Sequence, residues 1–374
     1  MSSDASSLTR GRDERMSFAA PTMQAVVMRE FGGPEVLELA NLPLPQPGPD
    51  EVRIRVEAVV VNNTRDVGTR SGSGPFSRFV SPPHILGGEH AGAVDAVGDG
   101  VDPGLEGERV VAHAPVPCGS CEFCVEGEDQ ACVSIGLIGI HRPGAYAEFA
   151  IAPVANLHRL PDGLSAADAV VLLTTGGVGL AQVQASGVGA DDVLVVPGVT
   201  GALGSMVAEL AARQGVRVVG LARDPARARA MPLAADTIID ALADDLADQL
   251  RSACGPGGAH AIIDNVCVPP IWDACLAVLR PRGRVVISGV IGSGNVEVNI
   301  RRLYLSNHTV VGVRTGNAAT LDAFWRQVQD GFRVSREMIT TFPLSSVADV
   351  HRQVEAGVKL GHYALLNSAL PGRG

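Results

Sequence analysis

Two rhythms of hydrophobic and polar residues divide this chain. From Gln24 to about Pro161 the apolar positions come in short alternating runs, such as Val52-Arg-Ile-Arg-Val-Glu-Ala-Val and Ala93-Val-Asp-Ala-Val, with Gly and Pro clusters between them. Alternation sends every second side chain to one face, which predicts a largely antiparallel β domain. From about Ala166 the rhythm changes to continuous apolar runs separated by helical stretches. Val193-Leu-Val-Val is followed by a helix over Ser205 to Gln214, then by Val216-Arg-Val-Val-Gly-Leu and a further helix, then by Ala261-Ile-Ile-Asp and Arg284-Val-Val-Ile-Ser. Apolar strands alternating with helices predict a parallel sheet covered on both faces. Beyond about Gly312 the pattern is mixed, with helices predicted around Thr320 to Gly331 and Val347 to Ala356. There is no internal repeat.

Composition and charge narrow the classes. A length of 374 residues predicts two domains rather than one core. The net charge of −10 argues against a nucleic-acid partner or an anionic membrane surface. No uninterrupted apolar run reaches the ~18 residues of a membrane span. Residues 1–22 are rich in Ser, Arg and Asp and lack the apolar stretch of a signal peptide, so a disordered extension is expected, with Met16 or Met23 as alternative starts. Cys254, Cys267 and Cys275 are scattered, as expected of ordinary small residues in a reducing cytoplasm.

Four further cysteines stand close together. Cys118, Cys121, Cys124 and Cys132 form a C-x2-C-x2-C-x7-C array. Four thiolates saturate a tetrahedral zinc and leave no open position for substrate, so one structural Zn2+ per chain is expected. The alternative, disulfides, needs an oxidising compartment that nothing in the chain suggests.

The first turn of the α/β region carries a second motif. Val193-Leu-Val-Val-Pro-Gly-Val-Thr-Gly-Ala-Leu-Gly-Ser sets Gly198, Gly201 and Gly204 between a strand and an amphipathic helix. Glycines there allow a tight turn and close approach of backbone N–H groups to a pyrophosphate. Some twenty residues on, where a carboxylate would accept from the ribose 2′-OH of NADH, stands Ala222. Arg223 follows it and Arg227 lies one helical turn further. Both suit a 2′-phosphate, so NADP(H) is the expected cofactor. The competing reading makes Asp224 the ribose acceptor, if the strand ends two residues later.

Together these segments resemble the medium-chain dehydrogenase/reductase superfamily of zinc-type alcohol dehydrogenases, quinone oxidoreductases and enoyl reductases. Gly87-Gly-Glu-His-Ala-Gly-Ala-Val-Asp-Ala-Val-Gly, Gly107-Glu-Arg-Val-Val, the cysteine array, Gly144-Ala-Tyr-Ala-Glu-Phe, Pro197 to Gly204 and Gly283-Arg-Val-Val-Ile-Ser-Gly carry the likeness from about Met23 to Asn367. The resemblance implies an α/β protein with a GroES-like β domain at 23–168 and 312–374 and an inserted Rossmann NADP-binding domain at 169–311. It implies a cofactor held by Thr175, Gly198, Thr200, Gly201, Ala202, Leu203, Gly204, Ala222, Arg223, Arg227, Asn265 and Gly289. A homodimer or homotetramer joined through edge strands of the Rossmann sheets is also expected.

The departures from that family bear on chemistry. Its catalytic zinc is held by a Cys, a His and a Cys. These positions fall on Asn63, on Gly88 (with His90 displaced by two), and near Val171. Asn, Gly and Val cannot replace two thiolates and an imidazole, so no catalytic zinc is expected. Without that Lewis acid the hydride acceptor must already be electrophilic: a quinone or a C=C bond conjugated to a carbonyl. Asn63 and Asp66 resemble the Asn-x-x-Asp of zinc-free reductases, with Asn63 either a donor to the developing charge or a loop cap. Arg65 is expected to line the cleft or meet the cofactor phosphates. Many enoyl reductases of this superfamily place a proton-donating tyrosine shortly after this segment, where Thr69 to Ser81 offers only Phe76 and Phe79. Protonation then falls to water or to another side chain such as His90 or Arg65, and Tyr146 is expected to be structural. The functional expectation is an NADPH-dependent reductase of quinones or α,β-unsaturated carbonyl compounds. The alternatives are a zinc-type alcohol dehydrogenase, or an NADPH-binding enzyme of a non-redox cyclisation or elimination.

Overall fold

The structure, a computed structural model, describes residues 21–291 and 294–367. The predicted N-terminal extension lies outside them except for Pro21 and Thr22, and Thr22 already opens the strand Thr22–Met28. Two large sheets organise the chain. The first has six parallel strands in the spatial order Thr237–Asp240, Arg217–Ala222, Val193–Pro197, Ala259–Ile263, Leu279–Ile287, Thr309–Gly312. Val193–Pro197 is buried at every position and pairs on both sides, as its unbroken apolar run requires. Between it and Ala259–Ile263 the chain order reverses. A doubly wound sheet opens a crevice there, at the carboxyl ends of its strands.

The second sheet has seven strands, six of them in one run and the seventh, Phe149–Pro153, joined at the side. Its centre is Glu51–Val60, antiparallel to His90–Val97, Phe149–Pro153 and His362–Leu366. The last of these comes from the far end of the chain, so both chain ends build this sheet.

One helix ties the two sheets together. Ala166–Ser186 begins at Ser165, whose hydroxyl accepts from the Asp168 N–H, and ends at Gly187 with φ 67°. Its buried residues share one core with Ala58, Val60 and Ala91 of the second sheet and with Leu194 and Val196 of the first. Gly176 gives the ring of Phe324 its place, because a Cβ there would run into it. The helix is long and apolar enough to cross a membrane, although no uninterrupted apolar run is. Most of it is buried inside the molecule, as befits a core helix.

Candidate active site

The crevice of the parallel sheet is floored by the glycine turn. Gly198 has φ 69°, in the left-handed region that glycine tolerates. Gly204 abuts the Gly198–Val199 backbone so closely that a Cβ would come 2.9 Å from the Gly198 carbonyl carbon. The turn is thus shut tight, and the helix Ala202–Ala212 starts with Gly201 as its cap. No side chain caps that N-terminus, so the first N–H groups, on Ala202, Leu203 and Gly204, are free to meet an anion. The next strand ends at Ala222. Asp224 is spent on capping the helix Pro225–Arg229, its carboxylate accepting from the Arg227 N–H at 2.9 Å. The guanidinium of Arg223 is exposed and donates to the Gly357 carbonyl at 3.0 Å, and Arg227 is exposed nearby. Thr175 lies buried on the shared helix with its hydroxyl on the Val171 carbonyl, at 3.0 Å. Asn265 and Gly289 meet at the ends of neighbouring strands, where the Asn265 carboxamide accepts from Gln182 and from the Ser288 N–H. This turn, with its uncapped N–H groups and guanidinium, fits a nicotinamide dinucleotide.

Across the crevice stands the segment Asn62 to Val67. Residues Asn63–Val67 form one π-helical turn, closed by Val67 N–H to the Asn62 carbonyl at 3.3 Å. Such a turn holds one residue more than an α-turn and recurs at functional sites. The cap is therefore Asn62, whose side chain accepts from the Arg65 N–H at 2.9 Å. The loop-capping alternative for Asn63 is corrected accordingly, since Asn63 is exposed one residue further on. Asp66 is fully buried and accepts from the Asn62 N–H at 2.7 Å. Arg65 is buried as well. Its guanidinium makes two hydrogen bonds to Glu89, one of them at 3.1 Å, and stands 3.7 Å from Asp66. Burial works against all three charges, but their mutual attraction counters it. The guanidinium outweighs burial at Glu89 and holds its carboxyl down at about 2, while burial prevails at Asp66 and raises it.

Gly88 makes this cluster possible. A Cβ there would come 2.5 Å from Arg65 Nη2 and 2.8 Å from Nε. The guanidinium occupies the space a side chain at position 88 would need. Of the positions set against a catalytic zinc, Gly88 is bare, Val171 is an apolar side chain buried in the core, and exposed Asn63 offers a carboxamide where zinc favours thiolate or imidazole. A second cation beside Arg65 would also be repelled, so these residues do not fit that ion. His90 is fully buried, with Nδ1 2.8 Å from the Gly88 carbonyl and Nε2 without a partner. Burial lowers its pKa, which favours the neutral ring over the imidazolium a strong proton donor would need. The Arg65 guanidinium likewise is buried and bound to Glu89.

The cysteine array forms its own lobe. Four Sγ atoms, of Cys118, Cys121, Cys124 and Cys132, lie within 4.8 Å of one another, with Cys121 and Cys124 3.5 Å apart. Zn–S bonds of ~2.3 Å at tetrahedral angles need sulfurs about 3.8 Å apart, so these residues fit the ion. Among the described residues no other group of three or more His, Cys, Asp or Glu is gathered this way. Sequence reasoning missed Asn62 and Glu89 as parts of the polar cluster. The only signal for Glu89 was the small residue before it.

A Rossmann crevice facing a buried polar cluster on a separate β domain defines a two-domain, nicotinamide-dependent dehydrogenase. Comparison with known proteins gives the family. Residues 48–162 match the alcohol dehydrogenase GroES-like domain and residues 202–330 the zinc-binding dehydrogenase domain. An alcohol dehydrogenase of Rhizobium meliloti (strain 1021) is 31% identical over 80% of this chain and 86% of its own. An NAD-dependent alcohol dehydrogenase of Sulfurisphaera tokodaii is 31% identical over 79% and 86%. The crystal structure of an NAD-dependent alcohol dehydrogenase superposes with a TM-score of 0.83 at 31% identity, covering 92% of this chain and 99% of that one. The chain belongs to the medium-chain dehydrogenase/reductase superfamily of zinc-type alcohol dehydrogenases. It is an oxidoreductase of that type.

Proposed function

We propose that this protein is an NADPH-dependent reductase of quinones or α,β-unsaturated carbonyl compounds that works without a catalytic metal. The observation that carries this reading is the Arg65 guanidinium seated against Gly88 and paired with Glu89. A fixed cation already occupies the space beside Gly88, where the family resemblance sets a zinc-binding histidine, and among the described residues no group of three or more His, Cys, Asp or Glu gathers there. An unactivated alcohol then lacks the ion that would lower its O–H pKa, whereas a conjugated acceptor needs only hydrogen-bond donors for its developing negative oxygen. Asn63, exposed on the π-turn, is such a donor. The cofactor supplies hydride when bound, and the chain's task is to orient it and the acceptor and to exclude water. Ala222 at the strand end, Asp224 held in a cap, and exposed Arg223 and Arg227 support NADPH over NADH. One structural zinc in the cysteine lobe completes the holoenzyme. The edge strand Thr309–Gly312 has an exposed Val310 and lies near the exposed Ile300, Tyr304 and Leu305, which supports pairing of two copies through that edge.

The names of the relatives favour a second reading, the NAD-dependent oxidation of alcohols. Incubation of metal-analysed protein with NADPH and a panel of quinones and enones, and with NAD+ and a panel of alcohols, separates the two. Acceptor-dependent NADPH oxidation by protein holding one zinc per chain is the expected result. Alcohol oxidation abolished by mild chelation would refute the proposal.

A further inference from the structure

The reductase reading leaves open which group delivers the proton that must follow the hydride. His90 is sealed in the core, and the region after the catalytic turn has no tyrosine. The C-terminal segment brings another group into the crevice. Residues 356–361 run between the helix Val347–Glu355 and the strand His362–Leu366, and they lie against the Rossmann domain. The Gly361 N–H donates to the Thr200 carbonyl of the glycine turn at 2.9 Å, and Arg223 donates to the Gly357 carbonyl at 3.0 Å. From this clamped loop Lys359 reaches back to the other wall. Its Nζ donates to the Val61 carbonyl at 3.0 Å, next to Asn62 and Asn63, and sits 5.3 Å from the ring centroid of Tyr363. One side chain therefore joins the cofactor turn to the catalytic turn.

We infer that Lys359 is the proton donor of this active site, its ammonium aimed into the crevice by the Val61 carbonyl and the Tyr363 ring. An ammonium has three N–H donors, and among the described residues only the Val61 carbonyl accepts one of them. Among the described residues no carboxylate forms an ion pair with it, although Asp66 on the catalytic turn is near enough to favour its charge. Burial lowers the lysine to about 8 against that pull, within reach of a working pH near neutrality. The other groups facing it cannot do the same work. His351 on the preceding helix and His362 on the following strand are each pushed down to about 3, by burial first and then by Arg70 and Lys359 respectively. Burial and Asp66 raise Tyr146 well above its ordinary value, and burial raises Tyr363 against the opposing pull of Arg227. Arg65 does not release its proton.

The step balances as follows. Hydride adds to the electrophilic carbon as the cofactor is oxidised to NADP+, and the displaced π pair comes to rest on the acceptor oxygen. The Nζ–H bond of Lys359 breaks and an O–H bond forms. The neutral amine then takes a proton from solvent, so each turnover consumes one acceptor, one NADPH and one proton.

This assignment rests on the reductase reading, and one set of variants separates their failures. Wild type, Lys359→Met and Lys359→Arg are assayed with NADPH and menadione or cyclohexenone across pH 6 to 10, and the NADPH Kd of each is measured by fluorescence. General-acid loss predicts that kcat falls by about 100-fold in both variants. The wild-type decline of kcat on the alkaline side should vanish in both, with NADPH binding retained. Retained binding also certifies that a variant is folded. An unchanged pH profile in Lys359→Met, or recovery of kcat in Lys359→Arg, whose guanidinium keeps its proton, overturns the assignment and leaves the reductase intact. A raised NADPH Kd at unchanged kcat also overturns it, and gives the lysine to the cofactor. No turnover by wild type with any acceptor removes the reductase reading, and this step with it.

Discussion

Gly88→Ala tests the arrangement on which the metal-free reading depends. The added Cβ would lie 2.5 Å from Arg65 Nη2 and 2.8 Å from Nε, far inside the ~3.5 Å of ordinary contact. The guanidinium has to give way, because the backbone of Gly88 is fixed by the neighbouring strand that begins at His90. If Arg65 tilts and keeps one bond to Glu89, the cost is that of overpacking, about 1–3 kcal/mol. If it leaves, Glu89 remains as a buried carboxylate with no partner, which costs about 3–5 kcal/mol. We therefore expect a loss of about 2–4 kcal/mol in urea unfolding, with a parallel loss of enone turnover. Arg65→Met alone should cost about 3–5 kcal/mol by stranding Glu89. In that background the alanine has less to displace, so the double variant should fall short of additivity by about 1–3 kcal/mol. A Gly88→Ala protein as stable as wild type, or an alanine cost identical in both backgrounds, would show that the guanidinium is not seated there.

Three further outcomes are expected. Purified protein should carry close to one zinc per chain, and Cys132→Ser should lose it and unfold the lobe first in limited proteolysis. Glu89, held down at about 2 against an ordinary 4.5, contributes stability that is complete above pH ~4.5 and fades as pH falls towards ~2, while Asp66, raised by burial, contributes with the opposite sign; Glu89→Gln should flatten the Glu89 part of a pH-dependent denaturation series. Val310→Asp, which puts a charge on the exposed edge strand, should shift sedimentation towards the 38.7 kDa single chain, whereas an unchanged assembly would show that this edge is not the interface.

The parallel sheet was largely legible because its inner strands are apolar on both faces, a pattern with no other economical fold. Its two outermost strands, Thr237–Asp240 and Thr309–Gly312, went unread. They have four residues each and are buried on one side at most, so neither a continuous run nor a clear alternation exists to notice. Ala166–Ser186 was illegible for the opposite reason. A helix covered by both sheets needs apolar residues all round, and this erases the 3.6-residue period by which a surface helix declares itself. The same helix blurs any sharp boundary between domains near residue 168.

The site was legible where chemistry is local and illegible where it depends on docking. Cysteines within one loop and glycines within one turn announce themselves by spacing. Asn62 did not, because the turn it caps is π-helical and its extra residue defeats any count based on a normal turn. Lys359 could not, because it reaches Val61 only after the C-terminal loop has settled on Thr200 and the two sheets have come together. The same reasoning explains why Gly88 matters more than a missing ligand. Losing an imidazole would leave a hole that water or an adventitious ion could fill. Here the space beside Gly88 is filled by a guanidinium that the chain itself supplies, and Glu89 keeps it there with two hydrogen bonds. The positive charge of the site has become part of the fold. Restoring a histidine at position 88 alone would therefore displace Arg65 before it could bind zinc. On the metal-free proposal, metal chemistry here would require removing the arginine as well as supplying the ligands.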